Sequence, residues 1–185
     1  MSDTRHGVLV LDATLLNHSA RADYIDLLGS YLQDFECWTT TTVISELRAG
    51  LHRFPSLQRA IAADWLRVDA LDTIEGLMAY GRWGERVGAS DNRHRGEASV
   101  FACAELRHGT AVTDDRTAAR TARAYGVEAH GTLWLLARLV REDVMTLAAA
   151  GSYVEALRAE GARLPCRGSG FARWCSMQGI PLQQS

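Results

Sequence analysis

Two short apolar runs end in acids and hydroxyls. Val8-Leu9-Val10-Leu11 leads into Asp12-Ala13-Thr14, and Ala111-Val112 leads into Thr113-Asp114-Asp115-Arg116. Each reads as a buried strand that stops at a carboxylate and turns toward a helix. Open α/β sheets collect their ligands outside the carboxyl ends of the strands. Two strand ends that each present an acid and a threonine therefore predict a shared carboxylate pocket, and a pocket of that kind suits a divalent metal ion.

The rest of the chain alternates between the two periodicities. Apolar residues at helical spacing predict helices over 20–32, 43–51, 56–63, 73–86, 96–108, 116–125, 132–141 and 151–160. In the 73–86 helix, Ile74, Leu77 and Met78 are expected to face the core. Strands are expected at 8–12, 36–38, 65–68, 111–113 and 127–129, and the hydroxyl cluster Thr39–Thr42 is suited to capping a helix. Strands alternating with helices argue an α/β fold with a central parallel sheet sandwiched between helices. No internal repeat or linker interrupts residues 1–165, so these are read as one domain. Residues 166–185, rich in Gly, Ser and Gln, are expected to form a poorly ordered tail, with Phe171 and Trp174 as the only anchors in view.

A chain of 185 residues, 47% hydrophobic and 23% charged, can bury a full core. No apolar run approaches the roughly 18–20 residues that span a bilayer. The polar start, Met1 to Gly7, lacks a signal-peptide core, so the expected location is the cytoplasm. Cys37, Cys103, Cys166 and Cys175 form no Cys-x-x-Cys pair and no zinc spacing, and Cys37 and Cys103 read as buried thiols. The net charge of −2 hides an acidic first half and a basic second half, and all 20 basic residues are arginine. Arginine keeps its charge and matches phosphate geometry. The absence of lysine excludes mechanisms that need one.

Acids recur where solvation is poor. Asp12 ends the first strand, Glu46 borders the apolar face of a helix, Glu97 opens an apolar helix, and Asp114 and Asp115 end the central strand. Singly, each has a structural role open to it: Asp12 and Asp115 as helix caps, Glu46 as an edge residue, Glu97 as a complement to the helix dipole. Together in one cleft they would repel, and a hard cation relieves that repulsion. Mg²⁺ or Mn²⁺ fits oxygen ligands better than zinc does. A cation so held polarises a phosphoryl oxygen and activates water.

The ordered set resembles the PIN domain, a metal-dependent nuclease fold. Three segments carry the likeness: Val8 to Thr14; Thr42-Val43-Ile44-Ser45-Glu46-Leu47; and Gly96-Glu97-Ala98-Ser99 through Val112-Thr113-Asp114-Asp115-Arg116 to Gly126-Val127 and Gly131-Thr132. The third is similar to a PIN-like subgroup of unknown function, and the whole resemblance spans roughly residues 7–165. It implies RNA cleavage with Mg²⁺ or Mn²⁺, often by the toxin of a toxin–antitoxin pair. Carried over by motif, Asp12, Glu46, Glu97 and Asp115 are the catalytic set, and Asp114 joins them as a metal ligand. Asp115 matches the family's final acid better than Asp114, and Glu97 stands where many members have Asp. Candidate partners are an RNA substrate, an antitoxin protein and a second copy of the chain.

Thr14 and Thr113 stand beside the strand-end acids and are candidates for substrate contacts. Arg116, Arg120 and Arg123 share one helix face beyond the acids and are candidates for phosphate contacts. Arg82, Arg86, Arg93 and Arg95 surround the polar loop before Glu97, and His18 and His94 are candidate proton carriers. Two other α/β phosphotransfer readings fail. A response-regulator receiver needs a lysine. A haloacid-dehalogenase phosphatase needs an aspartate where Thr14 stands, and a lysine. The standing alternative is a PIN-like scaffold that binds nucleic acid or protein without cutting.

Overall fold

The structure is a computed structural model and describes residues 7–89 and 94–182. Strands β1 (Val8–Leu11), β2 (Glu36–Thr40), β3 (Arg67–Asp69), β4 (Thr110–Val112) and β5 (Ala129–His130) form one sheet in the order β3-β2-β1-β4-β5. Every pairing is parallel. Leu9, Val10 and Leu11 of β1 are all fully buried. Successive strand residues point to opposite faces, so the sheet is covered on both sides, as parallel sheets require. The α/β sandwich expected from the sequence is the fold observed.

The chain moves outward from β1 through β2 to β3, then returns to the other side of β1 as β4. The direction reverses between β1 and β4, which is where such sheets open a crevice at their carboxyl ends. Asp12 and Thr113 stand at the two lips, and the Asp12 amide donates to the Val112 carbonyl at 3.1 Å.

Helices α1 (Ala13–Arg21), α2 (Ile25–Tyr31), α3 (Thr41–Gly50) and α4 (Leu57–Ile61) occupy the first half of the chain. α5 (Ile74–Val87) and α6 (Arg95–Leu106) precede β4; α7 (Arg116–Ala124), α8 (Thr132–Arg141), α9 (Leu147–Ala159) and α10 (Phe171–Met177) complete the order. α6 is buried along most of its length, from Gly96 through Ala104 apart from the half-buried Glu97. A helix apolar on nearly all sides belongs inside the molecule. None of the described helices is long and apolar enough to cross a membrane. Burial pushes the Cys37 and Cys103 thiols up to about 12, which leaves them unreactive.

Several expectations are corrected. The helix expected over 20–32 is two helices, because Asp23 takes a left-handed φ of 62° between them and the first begins directly after Asp12. In α5 the buried residues are Gly76, Ala79 and Trp83, whereas Ile74, Leu77 and Met78 are 80%, 59% and 61% exposed. Close packing selects the small residues: a Cβ on Gly76 would lie 2.9 Å from the Leu71 backbone. α9 starts at Leu147 rather than 151, with Thr146 accepting from the Ala149 amide at 3.1 Å. β3 and β5 lie two residues later than expected, at Arg67–Asp69 and Ala129–His130.

The segment after Pro165, expected to be poorly ordered, forms a 3-10 turn at Gly168–Gly170 and then α10. Phe171 and Cys175 are fully buried, and α10 packs on α8 and α9. Two apolar residues four apart on one face suffice to dock a short helix, a signal too sparse to stand out as periodicity. Arg93 and the rest of residues 90–93 lie outside the described residues.

Candidate metal centre

The site is assembled from the ends of β1 and β4, the starts of α6 and α7, and the body of α3. Asp12, at the end of β1, is 5% exposed. Its Oδ2 accepts the Thr113 hydroxyl at 3.2 Å, and its carboxyl also accepts from the Ala13 amide. Thr113 in turn accepts the Asp115 amide at 3.4 Å. One buried hydroxyl thus ties the ends of β1 and β4 together and sets the positions of two acids.

Glu46 reaches the crevice from α3, and Glu97 from the first turn of α6. The Gly96 amide hydrogen-bonds the Glu46 carboxylate. A Cβ on residue 96 would lie 2.7 Å from Glu46 Oε1, so a larger residue there would push the Glu46 carboxylate out of its present position. The start of α6 is braced from below: Ser99 donates to the Gly96 carbonyl at 2.7 Å and shares a 2.7 Å hydrogen bond with Thr40. Thr40 also caps α3 by accepting the Val43 amide at 3.2 Å. Thr39 donates to the Leu11 carbonyl at 2.9 Å, one residue before Asp12. This ladder of buried hydroxyls holds β1, α3 and α6 in register under the acids.

Asp115 is the N-cap of α7, its Oδ1 accepting the Thr117 and Ala118 amides at 2.8 Å each. It also faces α6, where oxygen or nitrogen atoms of His94, Glu97 and Asp115 lie within 4.8 Å of one another. Capping uses one carboxylate oxygen and leaves the other for a ligand. The structural and metal-binding roles of Asp115 are therefore compatible.

The electrostatics register this crowding. Burial first, then the Glu97 and Glu46 carboxylates, raises Asp12 from 3.8 to about 7. Glu46 is raised by burial and by Glu97, against the opposing pull of the Gly96 amide and Arg95. Acids brought together in a half-closed crevice are what a hard cation neutralises. The donors are carboxylate oxygens with one imidazole at the rim, so the residues fit Mg²⁺ or Mn²⁺.

Asp114 does not join them. Its Oδ1 accepts the Thr132 amide at 2.8 Å and its Oδ2 the Thr132 hydroxyl at 2.7 Å, so both oxygens help fix the start of α8. Past the end of β4 the two side chains part: Asp114 turns to Thr132, and Asp115 lies with Glu97 of α6. Thr14 is exposed in the first turn of α1 beside Asp12. His18 sits a turn further on, its Nδ1 donating to the Thr14 carbonyl at 2.8 Å. His94, at a left-handed φ of 59°, places Nδ1 3.8 Å from Glu97 Oε1.

Among the arginines, Arg82 and Arg86 pair with Glu105 at 2.9 and 3.8 Å, away from the acids. Arg95 lies within 3.5 Å of the Tyr80 hydroxyl and near Glu46. Arg116, Arg120 and Arg123 line a cleft that shares Thr113 with the site, and Arg123 also donates to the Ala129 carbonyl. Sequence reading missed the Thr40–Ser99 pair. Its only trace was a hydroxyl placed within the apolar face of α6.

No curated protein and no solved structure matches the chain at a significant level. A family model described as a PIN domain matches residues 8–167. That span holds the five-stranded parallel sheet and every acid of the crevice. With most of its length matched, the chain belongs to the PIN-domain family, a family of nucleases.

Proposed function

We propose that the protein is a ribonuclease that hydrolyses phosphodiester bonds with Mg²⁺ or Mn²⁺ held by Asp12, Glu46, Glu97 and Asp115. The observation that carries this reading is the gathering of acids at the sheet's carboxyl end: Glu97 lies with Asp115 and His94 within 4.8 Å and also bears on the buried Asp12 and on Glu46. When bound, the cation supplies the charge that polarises the scissile phosphoryl group and activates water.

The chain's own groups do the positioning. Thr113 orients Asp12 and Asp115 together, and Gly96 fixes the Glu46 carboxylate against α6. Arg116 and Arg120, exposed on the α7 face beyond the acids, neutralise the phosphates of the strand. His94, beside Glu97, is the group placed to carry a proton at the rim. Within this reading the biological setting is a toxin restrained by an antitoxin protein.

The test is cleavage of single-stranded RNA by purified protein with Mg²⁺, with Mn²⁺ and with chelator. Cleavage that needs the cation and is abolished in Asp12→Asn supports the reading. Wild-type protein that binds RNA but never cuts it, with either cation, overturns it in favour of a scaffold. Growth arrest on induced expression of wild type but not of Asp12→Asn would support the toxin role; no arrest would count against it.

A further inference from the structure

Sharing Thr113 with the carboxylate crevice is a cleft of about 890 Å³ between α7, α8 and the C-terminal segment. Arg116 and Arg120 enter it from α7, and Arg163 from the stretch after α9. All three are exposed, and none forms an ion pair among the described residues. The acid that lines the cleft, Asp114, has both oxygens occupied by Thr132. The cleft is lined by four arginines, Arg116, Arg120, Arg123 and Arg163, against that one acid, so the excess positive charge suits an anion.

The same cleft is lined by aromatic rings. His130 and Trp134 are stacked, with centroids 4.0 Å apart and planes at 8°. Glu128 steadies His130, with Oε1 3.0 Å from Nε2. Trp174 contributes from α10, where it stacks on the buried Phe171 at 6.2 Å and 13°. Both indoles are only partly buried. Trp174 lies beyond residue 167, the end of the family match, so this wall is supplied from outside the matched region.

Guanidinium groups beside partly open indoles suit a ligand that carries phosphates and free aromatic faces together. Phosphate pairs with guanidinium, and an unpaired base stacks on an aromatic side chain. A duplex keeps its bases inside its own stack and offers the rings nothing. We propose that the cleft is a subsite for an unpaired nucleotide of the RNA strand. Its base packs against the ring of Trp174, and its flanking phosphates are held by Arg116, Arg120 and Arg163. The identity of the strand rests on the ribonuclease reading. The ordering of α10 acquires a use, because that helix completes the subsite.

The test is fluorescence anisotropy with full-length protein in chelator, so that binding is read without cleavage. The probes are a labelled single-stranded RNA, the same sequence as duplex, and a strand of equal length lacking its bases. The unpaired strand is expected to bind roughly tenfold tighter than the baseless one. Trp174→Ala should bring the two to equal affinity and leave the baseless strand unchanged. Arg163→Ala should weaken both alike and lower the salt slope by about one phosphate contact. Arg163 is exposed, so its variant decides the matter even where Trp174→Ala fails to fold. Equal binding of native and baseless strands, or unchanged binding and salt slope in Arg163→Ala, overturns the subsite. The two readings fail separately. Metal-dependent cleavage with no effect of these variants leaves the ribonuclease and removes the subsite. Base-dependent binding without cleavage leaves the subsite and removes the ribonuclease.

Discussion

Asp12→Asn should make the protein more stable when no cation is present, and less responsive when one is. Asp12 is raised from 3.8 to about 7 in the fold, so the folded state favours its neutral form. The folded protein therefore binds more protons than the unfolded chain between those two values. Stability from this group is highest at low pH, falls as pH rises from about 4 to about 7, and is flat above. The full difference corresponds to about 4 kcal/mol at pH 8. Asparagine escapes the ionisation but still buries an amide, so we expect about half to appear, ~2 kcal/mol. For a chain of this size that is a rise in Tm of about 4–8 °C over wild type in chelator at pH 8, shrinking toward zero near pH 4. Manganese should reverse the order, because a ligand at a hundredfold its Kd stabilises by about 2.7 kcal/mol and the variant has lost the charge that holds it. Thermal denaturation at both pH values, with chelator and with Mn²⁺, reads all of this. A variant less stable than wild type in chelator at pH 8, or equal shifts with Mn²⁺ in both proteins, would refute the reasoning.

Asp114→Ala should cost about 2 kcal/mol by leaving the buried Thr132 unsatisfied, yet keep the Mn²⁺-induced rise in Tm; loss of that rise would return Asp114 to the metal set. Gly96→Ala should weaken Mn²⁺ binding about tenfold or more, because its Cβ would sit 2.7 Å from Glu46 Oε1; calorimetry showing unchanged affinity would detach Glu46 from the site. Phe171→Ala should cost about 3–5 kcal/mol from the buried docking face of α10, and truncation after Pro165 should lower Tm; an unchanged melting temperature would show that α10 is dispensable to the body.

The fold was legible where the two periodicities were clean. β1 and β4 are short, largely buried strands followed by acids, and α6 is an apolar run opened by Gly96-Glu97. Order along the chain then pointed to a shared crevice, in which Glu97 lies with Asp115 and bears on Asp12 and Glu46. Neighbouring acids were not separable in this way. Asp114 and Asp115 differ only in which side of the strand end they take, and that depends on the β4 register and on Thr132, eighteen residues later. α5 misled because residue size pointed to Ile74, Leu77 and Met78, whereas close packing needed the small Gly76 and Ala79 around Trp83. α10 was hidden because its docking rests mainly on Phe171 and Cys175, against helices distant in sequence. The hydroxyl ladder of Thr39, Thr40, Ser99 and Thr113 exists only once four elements meet.

The most direct measurement is anomalous diffraction from crystals of the protein soaked in Mn²⁺. The account predicts a manganese peak in the crevice at the carboxyl ends of β1 and β4, with oxygen ligands from Asp12, Glu97 and Asp115, Glu46 facing the ion, and Asp114 still bound to Thr132. No peak at saturating Mn²⁺, or a peak held by Asp114 or by acids outside the crevice, would contradict it.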